Sequence, residues 1–271
     1  MTWQVFTTRD ATAAAVADGL GEGRVAHRCQ VVAIDDLAEA AAEALDRGFR
    51  RLAIEGADPE VATVVGEIRS RRAGRQTDLA VITAGKPSEL LRTFAADQTI
   101  QGSIERLIRH TPYLIDAGLV EGSFGSMVFM SSVAAGVLVG GPHWFPWWPL
   151  PILPARAFPV ETGGVATEAV ASGVLVLNGQ FWGDRVVAPR STTVDGVFDI
   201  QLFNGGRLAL SRLRRPMRTG MHVLSHHVRR RALSEAYIDA PSSWSLAVDG
   251  IRLGRGAFRV TCLPGSVRLA I

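Results

Sequence analysis

The first hundred residues alternate between short apolar runs and longer stretches whose apolar positions recur at helical spacing. The runs WQVFTT, CQVVAID, RLAIEG and DLAVITAG predict strands, and the stretches DATAAAVADGLGEG, DLAEAAAEALDRGF, PEVATVVGEIRSRR and PSELLRTFAA predict helices. Strands that alternate with helices indicate a parallel sheet with helices on its faces. Such sheets bind ligands at the carboxyl ends of their strands, which here are residues 7–9, 55–57 and 83–85.

The pattern changes near residues 105–112. Short strands then follow one another, separated by turns in which glycine and proline are frequent. This pattern is typical of an all-β unit, either a sandwich or a barrel. One stretch, residues 207–231, predicts a helical insertion within it. We therefore expect an α/β domain over residues 1–108 and a β domain over residues 109–271.

Composition adds few constraints. The chain has 271 residues, of which 47% are hydrophobic, so it can bury a sizeable core and does not resemble a disordered chain. The two cysteines, Cys29 and Cys262, are far apart in sequence, which favours buried thiols over a disulfide framework or a metal cluster. The N-terminal residues lack the basic segment and apolar run of a signal peptide, so we expect a cytoplasmic protein.

Positive charge is concentrated in one place, although the net charge is only +3. Eight arginines and no acidic residue lie between residues 207 and 231. Such a surface can meet phosphate, nucleic acid or an anionic membrane, or can be a solvated helix face. We expect no nucleic-acid function and keep an anionic membrane surface as an open partner.

An aromatic segment, GGPHWFPWWPLPILPARAFP, covers residues 140–159. Its prolines remove backbone donors and prevent a long helix, so it is not a membrane span. Trp144, Phe145, Trp147 and Trp148 either pack over the β domain or form a lipid-facing lip or the wall of an apolar ligand site.

The β half carries motifs that resemble those of the diacylglycerol kinase and sphingosine kinase-like lipid kinases. Within residues 174–205 these motifs are Asn178-Gly179, Gly183, Ala188-Pro189 and Asp195-Gly196-Val197-Phe198-Asp199, and residues 113–120 and 245–271 resemble further family segments. The resemblance implies an N-terminal domain like those of phosphofructokinase-type and NAD kinases and a C-terminal antiparallel β-sandwich. It also implies an active site in the cleft between them, and it makes a homodimer possible.

The same resemblance shows where the chain departs from the family. The family's Gly-Gly-Asp-Gly-Thr loop reads Gly56-Ala57-Asp58-Pro59-Glu60 here, and its Gly-Thr-x-Asn-Asp-Phe-Ala-Arg motif reads as residues 85–92. The Asn-Pro-x-x-Gly loop is replaced by residues 7–10, and Asp-Gly-Glu, which supplies the general base, reads Asp249-Gly250-Ile251. The remnants of the phosphate loops are Gly56, Asp58, Gly85, Lys86 and Arg92. Four altered elements together predict loss of ATP-dependent kinase activity.

The residues that remain offer weak candidates for chemistry. Asp58 and Glu60 lie at the strand ends and could perform acid–base work, although acids are also favoured near helix N-termini. The resemblance assigns Asp195 to a structural Mg²⁺ site, whereas Asp-Gly is also common turn chemistry.

Three functional hypotheses stay open. The first is a degenerate lipid-kinase fold that binds or transforms an apolar, lipid-like or polyketide-like molecule without ATP. The second is a working lipid kinase with unusual loops, in which Asp249 is the candidate base. The third is a peripheral membrane or partner-binding protein that uses the arginine-rich stretch and the aromatic segment.

Overall fold

The structure is a computed structural model that describes residues 2–85, 87–141, 155–205 and 207–271. The chain divides into two compact units, the first formed by Met1–Ala117 with Pro264–Ile271 and the second by Gly118–Leu263. These units differ from the predicted domains, 1–108 and 109–271. The last residues return to the first unit because Arg268 and Leu269 pair in parallel with its sheet, and an alternating pattern does not reveal a strand's partner.

The first unit alternates strands and helices as the sequence predicts. Its elements are β1 (Trp3–Thr7), α1 (Asp10–Glu22), β2 (His27–Val31), α2 (Leu37–Asp46), β3 (Arg51–Glu55), α3 (Asp58–Ser70), β4 (Asp78–Ile82), α4 (Glu89–Thr93) and α5 (Ile100–Arg109). The strands pair in parallel in the order β2-β1-β3-β4. The predicted parallel α/β sheet is therefore confirmed.

Helix α5 was not among the predicted helices, because the change of pattern near residue 105 falls within it. Ile104 and Leu107 are buried in the core that α5 shares with α1 and the sheet. A methyl group on Gly19 of α1 would lie 2.8 Å from the Ile104 side chain, so glycine allows the two helices to approach closely.

The second unit is built from antiparallel strands. Its elements, two of which also have residues in the first unit, are β5 (Pro112–Gly122), β6 (Gly125–Phe129), β7 (Ser132–Gly136), β8 (Arg156–Thr162), β9 (Val165–Ala171), β10 (Gly173–Leu177), β11 (Phe181–Trp182), β12 (Arg185–Val186), β13 (Phe198–Phe203), α6 (Arg207–Leu213), β14 (Val228–Leu233), β15 (Glu235–Ile238), β16 (Ser245–Val248), β17 (Ile251–Arg255) and β18 (Phe258–Ala270).

Two layers of strands enclose the core of this unit. One layer has the order β14-β13-β10-β7-β16-β17, and the other includes β18, β15, β8 and β9 in that order. Phe198 and Val174 from the first layer and Phe158 and Val260 from the second belong to one buried cluster. The predicted antiparallel β-sandwich is therefore confirmed.

The predicted helical insertion, residues 207–231, needs a correction. Helix α6 is followed by two 3₁₀ turns, Pro216–Arg218 and Met221–Leu224, and the chain then enters strand β14. Pro216 and Gly220, which has φ +73°, interrupt a continuous helix. Three of the arginines thus lie on a strand that pairs with β13, where they form the edge of the sheet.

No helix in the described part of the chain is long and apolar enough to cross a bilayer. Cys262 is buried and Cys29 is half-buried, and neither forms a disulfide bond.

Candidate functional site

A pocket of about 540 Å³ lies at the carboxyl ends of the strands in the first unit. Its size is typical of small-molecule sites. Its lining comes from Thr8 and Arg9 after β1, residues 32–34 after β2, Glu55 and Gly56 at the end of β3, and Ala84 and Gly85 after β4. The pocket is thus at the sheet edge where the strand pattern predicts a ligand site.

An ion pair between Arg9 and Glu55 forms part of this lining. Nη2 of Arg9 lies 2.6 Å from Oε1 of Glu55 and donates to the Ala84 carbonyl at 2.8 Å. The other carboxylate oxygen of Glu55 accepts the backbone N–H of Thr8 at 2.8 Å. The Glu55 side chain is 6% exposed and that of Arg9 is 54% exposed, so the cation meets solvent while the carboxylate is enclosed. The pair ties together the segments that end three strands.

The sequence interpretation placed Arg9 and Glu55 at strand ends but gave them no role. A signal was nevertheless present. Glutamate directly follows the buried apolar run Leu52-Ala53-Ile54 at the end of its strand, and a buried carboxylate requires a partner. Strand β1 is the neighbour of β3, so a cation directly after β1 was the natural candidate.

The start of helix α3 is capped by its own glutamate. Oε2 of Glu60 accepts the backbone N–H of Ala57 at 2.8 Å, which is the returning half of a capping box. A methyl group on Gly56 would lie 2.6 Å from Cβ of Glu60, so the close approach of this glutamate requires glycine. Pro59 lies in the first turn and has no N–H to donate. A phosphate at this helix start would therefore meet a carboxylate.

Asp58 is a buried carboxylate that joins the starts of α3 and α4. Its Oδ1 accepts the Ser88 hydroxyl at 2.5 Å, and its Oδ2 accepts the backbone N–H groups of Glu89 at 2.9 Å and Leu90 at 3.3 Å. The hydroxyl oxygen of Ser88 in turn accepts the N–H of Leu91 at 3.1 Å. These bonds favour a structural role for Asp58 over the acid–base role considered from the sequence.

Three other remnants of the phosphate loops, Gly56, Gly85 and Arg92, line pockets of the first unit. Gly85 has φ +87° and lines both the first pocket and a second pocket of about 500 Å³. Arg92 is half-buried in α4 and lines the second pocket. Lys86 lies outside the described residues. The structure thus brings Gly56 and Gly85 to one pocket, and Gly85 and Arg92 to the other.

Asp249 lies in the tight turn between β16 and β17. Asp249 and Gly250 have φ values of +45° and +83°, as a type I′ hairpin turn requires. Oδ2 of Asp249 accepts the N–H of Met130 at 2.8 Å, and Oδ1 accepts the N–H groups of Ser131 and Ser132 at 2.9 and 2.8 Å and the Ser131 hydroxyl at 2.8 Å. Burial raises the pKa of Asp249, and these hydrogen bonds act in the opposite direction. This arrangement weighs against Asp249 as a general base.

Asn178 also forms hydrogen bonds with residues 130–131. Its Nδ2 donates to the Met130 carbonyl at 2.9 Å, and its backbone N–H donates to the Ser131 carbonyl at 2.9 Å. Asn178 and Asp249 belong to the motifs that resemble those of the lipid kinases. In this unit both motifs hold residues 130–132 in place.

Asp195 is exposed and its Oδ1 accepts the N–H of Val197 at 3.3 Å. Gly196 between them has φ +74°, so this Asp-Gly pair makes ordinary turn chemistry. Within the described residues no cluster of three or more His, Cys, Asp and Glu side chains could hold a metal. The geometry therefore accounts for Asp195 without Mg²⁺, and a site formed mainly by backbone carbonyls stays a prediction.

A chain of hydrogen-bonded polar groups, of which Asp199, Gln201 and His222 are buried, runs through the second unit. Arg230 pairs with Asp199, and Nε2 of Gln201 donates to Asp199 and to the Val187 carbonyl, both at 2.9 Å. The amide oxygen of Gln201 must therefore accept from Nε2 of His222, 2.8 Å away. Burial lowers the pKa of His222 to about 4, so this histidine is neutral at ordinary pH.

Trp144, Phe145, Trp147 and Trp148 lie outside the described residues. Both alternatives for the aromatic segment, packing over the β domain and contact with a lipid or an apolar ligand, therefore stay predictions.

Comparisons with known proteins agree with this architecture. The family model of the YegS C-terminal NAD kinase beta sandwich-like domain matches residues 151–271. A diacylglycerol kinase structure from Bacillus anthracis strain Sterne has a TM-score of 0.78 at 13% sequence identity, over 99% of this chain and 96% of that chain. An NAD kinase from Archaeoglobus fulgidus, solved in complex with ATP, has a TM-score of 0.55 at 10% identity, over 100% of this chain and 94% of that chain. No protein with a curated description matches the sequence.

At these identities the solved structures show a shared fold, and the family model identifies the C-terminal part. The resemblance drawn from the motifs is confirmed at this level. Residues 151–271 match the model of the YegS C-terminal domain, and the whole chain shares the fold of the solved diacylglycerol kinase.

Proposed function

We propose that this chain is a lipid-kinase-fold protein without ATP-dependent kinase activity. In place of a nucleotide it binds or transforms an apolar or amphiphilic small molecule of lipid-like or polyketide-like type. One observation carries the proposal: the backbone donors at the starts of α3 and α4 are bound by the carboxylates of Glu60 and Asp58.

Electrostatics supports the loss of nucleotide binding. A phosphate loop offers backbone N–H groups to the phosphate oxygens, whereas this loop offers the carboxylate of Glu60. Two like charges 4 Å apart repel by about 4 kcal/mol at the effective dielectric of a protein surface. A nucleotide would have to displace Glu60 or overcome this repulsion.

The strand-end pocket keeps the size of a ligand site but has different chemistry. The apolar part of the lining comes from Val32, Ala33 and Ile34. The charged part is the Arg9–Glu55 ion pair. An amphiphilic molecule with one polar end suits such a lining, because the ion pair offers both a donor and an acceptor. We infer that this pocket takes the polar end of the ligand.

The test combines a binding assay and a transfer assay on the full chain. A fluorescent amphiphile should bind equally well with and without Mg-ATP, and labelled phosphate should not be transferred from ATP to diacylglycerol or sphingosine. Arg9→Gln should weaken binding of the amphiphile. Arg47→Gln is the matched control, because Arg47 forms an exposed ion pair with Glu43 and does not line the strand-end pocket.

The outcomes separate the hypotheses. Phosphate transfer to either lipid would overturn the proposal and support a kinase with unusual loops, which would bind nucleotide near Gly56, Asp58 and Gly85 and require a base such as Asp249. Binding without any chemical change of the ligand would support the binder form of the proposal. Failure of every amphiphile to bind would reject the proposed ligand class.

A further inference from the structure

Four arginines of the arginine-rich stretch present positive charge to solvent. Arg215, Arg218, Arg229 and Arg231 are exposed, and within the described part of the chain none of them forms an ion pair with an acid. Arg230 differs, because it pairs with Asp199. Neighbouring cations add to the charge. Burial lowers the pKa of Arg185, the adjacent Asp184 carboxylate raises it, and the nearby Arg214 and Arg218 guanidinium groups lower it.

Two large apolar side chains are exposed among these arginines. Met221 is 57% exposed, and Leu224 is 75% exposed, the highest value among the large apolar side chains of the described residues. Both lie in the second 3₁₀ turn, which contacts the turn that contains Arg218 and the strand β14. We call these side chains together the insertion surface: Arg215, Arg218, Met221, Leu224, Arg229 and Arg231.

A packed base holds this surface. His222, between the two exposed apolar residues in sequence, is fully buried, bonds to Gln201 and stacks on Phe203 with ring centroids 6.0 Å apart. Met217, which lies in the neighbouring 3₁₀ turn, is buried in the same cluster as Phe203. The exposed side chains are therefore presented by an anchored turn, and their exposure is a property of the fold.

We propose that the insertion surface docks on an anionic lipid bilayer. Leu224 and Met221 enter the interface between headgroups and acyl chains, and the arginines bind the lipid phosphates. Apolar burial and electrostatic attraction together give stable attachment where one weak signal does not. This inference goes beyond the proposed function, because it concerns where the protein acts and not what its pocket binds.

Other occupants fit the surface less well. Residues 207–231 contain no phenylalanine, tyrosine or tryptophan on which nucleic-acid bases could stack. Pairing with a second copy through the edge strand β14 would bring Arg229 and Arg231 close to the same residues of the partner, and like charges on an edge strand oppose such pairing.

The test is co-sedimentation of the full chain with vesicles. The chain should bind vesicles that contain phosphatidylglycerol at low salt and bind them more weakly at high salt. It should not bind vesicles of pure phosphatidylcholine. The double variant Arg215→Gln, Arg218→Gln should weaken vesicle binding about 30-fold, because each arginine near an anionic membrane surface strengthens binding about fivefold. Leu224→Ser should weaken it about fivefold through lost apolar burial.

Matched controls are available in the same chain. Arg69→Gln with Arg75→Gln removes two exposed arginines of the first unit, and Val165→Ser removes a side chain that is 61% exposed on β9. Both should leave vesicle binding unchanged. Absence of binding to anionic vesicles at low salt, or equal losses in the control variants, would overturn the proposal. Tighter binding to single-stranded RNA that is insensitive to Leu224→Ser would indicate a nucleic-acid surface instead.

Discussion

Ser88 donates its hydroxyl hydrogen to the buried carboxylate of Asp58 over 2.5 Å. The bond joins the first residue of α3 to the residue that precedes α4. In the lipid-kinase motif that this loop resembles, the aspartate belongs to a phosphate loop. Here the same residue type joins two helix starts, a role that does not require glycines on either side of the aspartate.

Asp58→Asn should lower the free energy of unfolding by about 2 kcal/mol. The amide keeps only one of the two acceptor oxygens, so either the Ser88 hydroxyl or the N–H groups of Glu89 and Leu90 lose their acceptor. Urea unfolding of the full chain measures this change. The control is Asp36→Asn, at the N-cap of α2, where the side chain makes no capping bond and a change within about 0.5 kcal/mol is expected. Equal effects at both positions would contradict the structural role of Asp58.

Gly56→Ala should destabilise the protein by about 1–3 kcal/mol, the usual cost of overpacking a filled site. The new methyl group would lie 2.6 Å from Cβ of Glu60 and would push the glutamate away from the N–H of Ala57. Thermal unfolding compares this variant with Gly21→Ala, where no atom lies within 4 Å of the added methyl group. Gly21→Ala lies inside α1 and should stabilise by about 0.5–1 kcal/mol. A neutral Gly56→Ala variant would show that Glu60 does not occupy the loop in this way.

His222 should make stability depend on pH. A histidine in the unfolded chain has a pKa near 6.5, whereas burial lowers the pKa of His222 to about 4. Between these values the unfolded state binds a proton that the folded state does not, so the free energy of unfolding falls as the pH decreases from 6.5 towards 4. The full effect is about 3 kcal/mol.

Urea unfolding across this pH range, for the wild type and for His222→Gln, measures the contribution of His222. The difference between the two profiles should shrink as the pH falls. His226→Gln replaces an exposed histidine and should retain the wild-type profile. If the His222→Gln profile keeps the full slope, the buried neutral state of His222 is refuted.

Much of the fold could be predicted because its signals are local. The apolar run in β3, the glycine that follows it and the proline in the first turn of α3 specify a strand, a turn and a helix without reference to the rest of the chain. The positions of Arg229 and Arg231 could not be predicted in the same way. Arginines are compatible with either a helix surface or a strand edge. These arginines lie in a strand because their segment pairs with β13.

The sequence predicted the location of a ligand site at the strand ends but not the side-chain contacts that form it. The strand ends located the pocket, and the altered motif identified Glu60 as a charge in the phosphate loop. The bonds that use Asp58 and Glu60 as caps, and the pairing of Arg9 with Glu55, depend on side chains that meet only after the strands have assembled. The spacing of residues along the sequence therefore does not predict these contacts between distant segments.

The most direct test of the central claim is calorimetric titration of the full chain with Mg-ATP and Mg-ADP. The carboxylates that cap α3 and α4 predict no measurable binding at millimolar nucleotide. Binding with micromolar affinity would mean that the altered loop still holds phosphate, and it would contradict the proposal that this lipid-kinase fold acts without ATP.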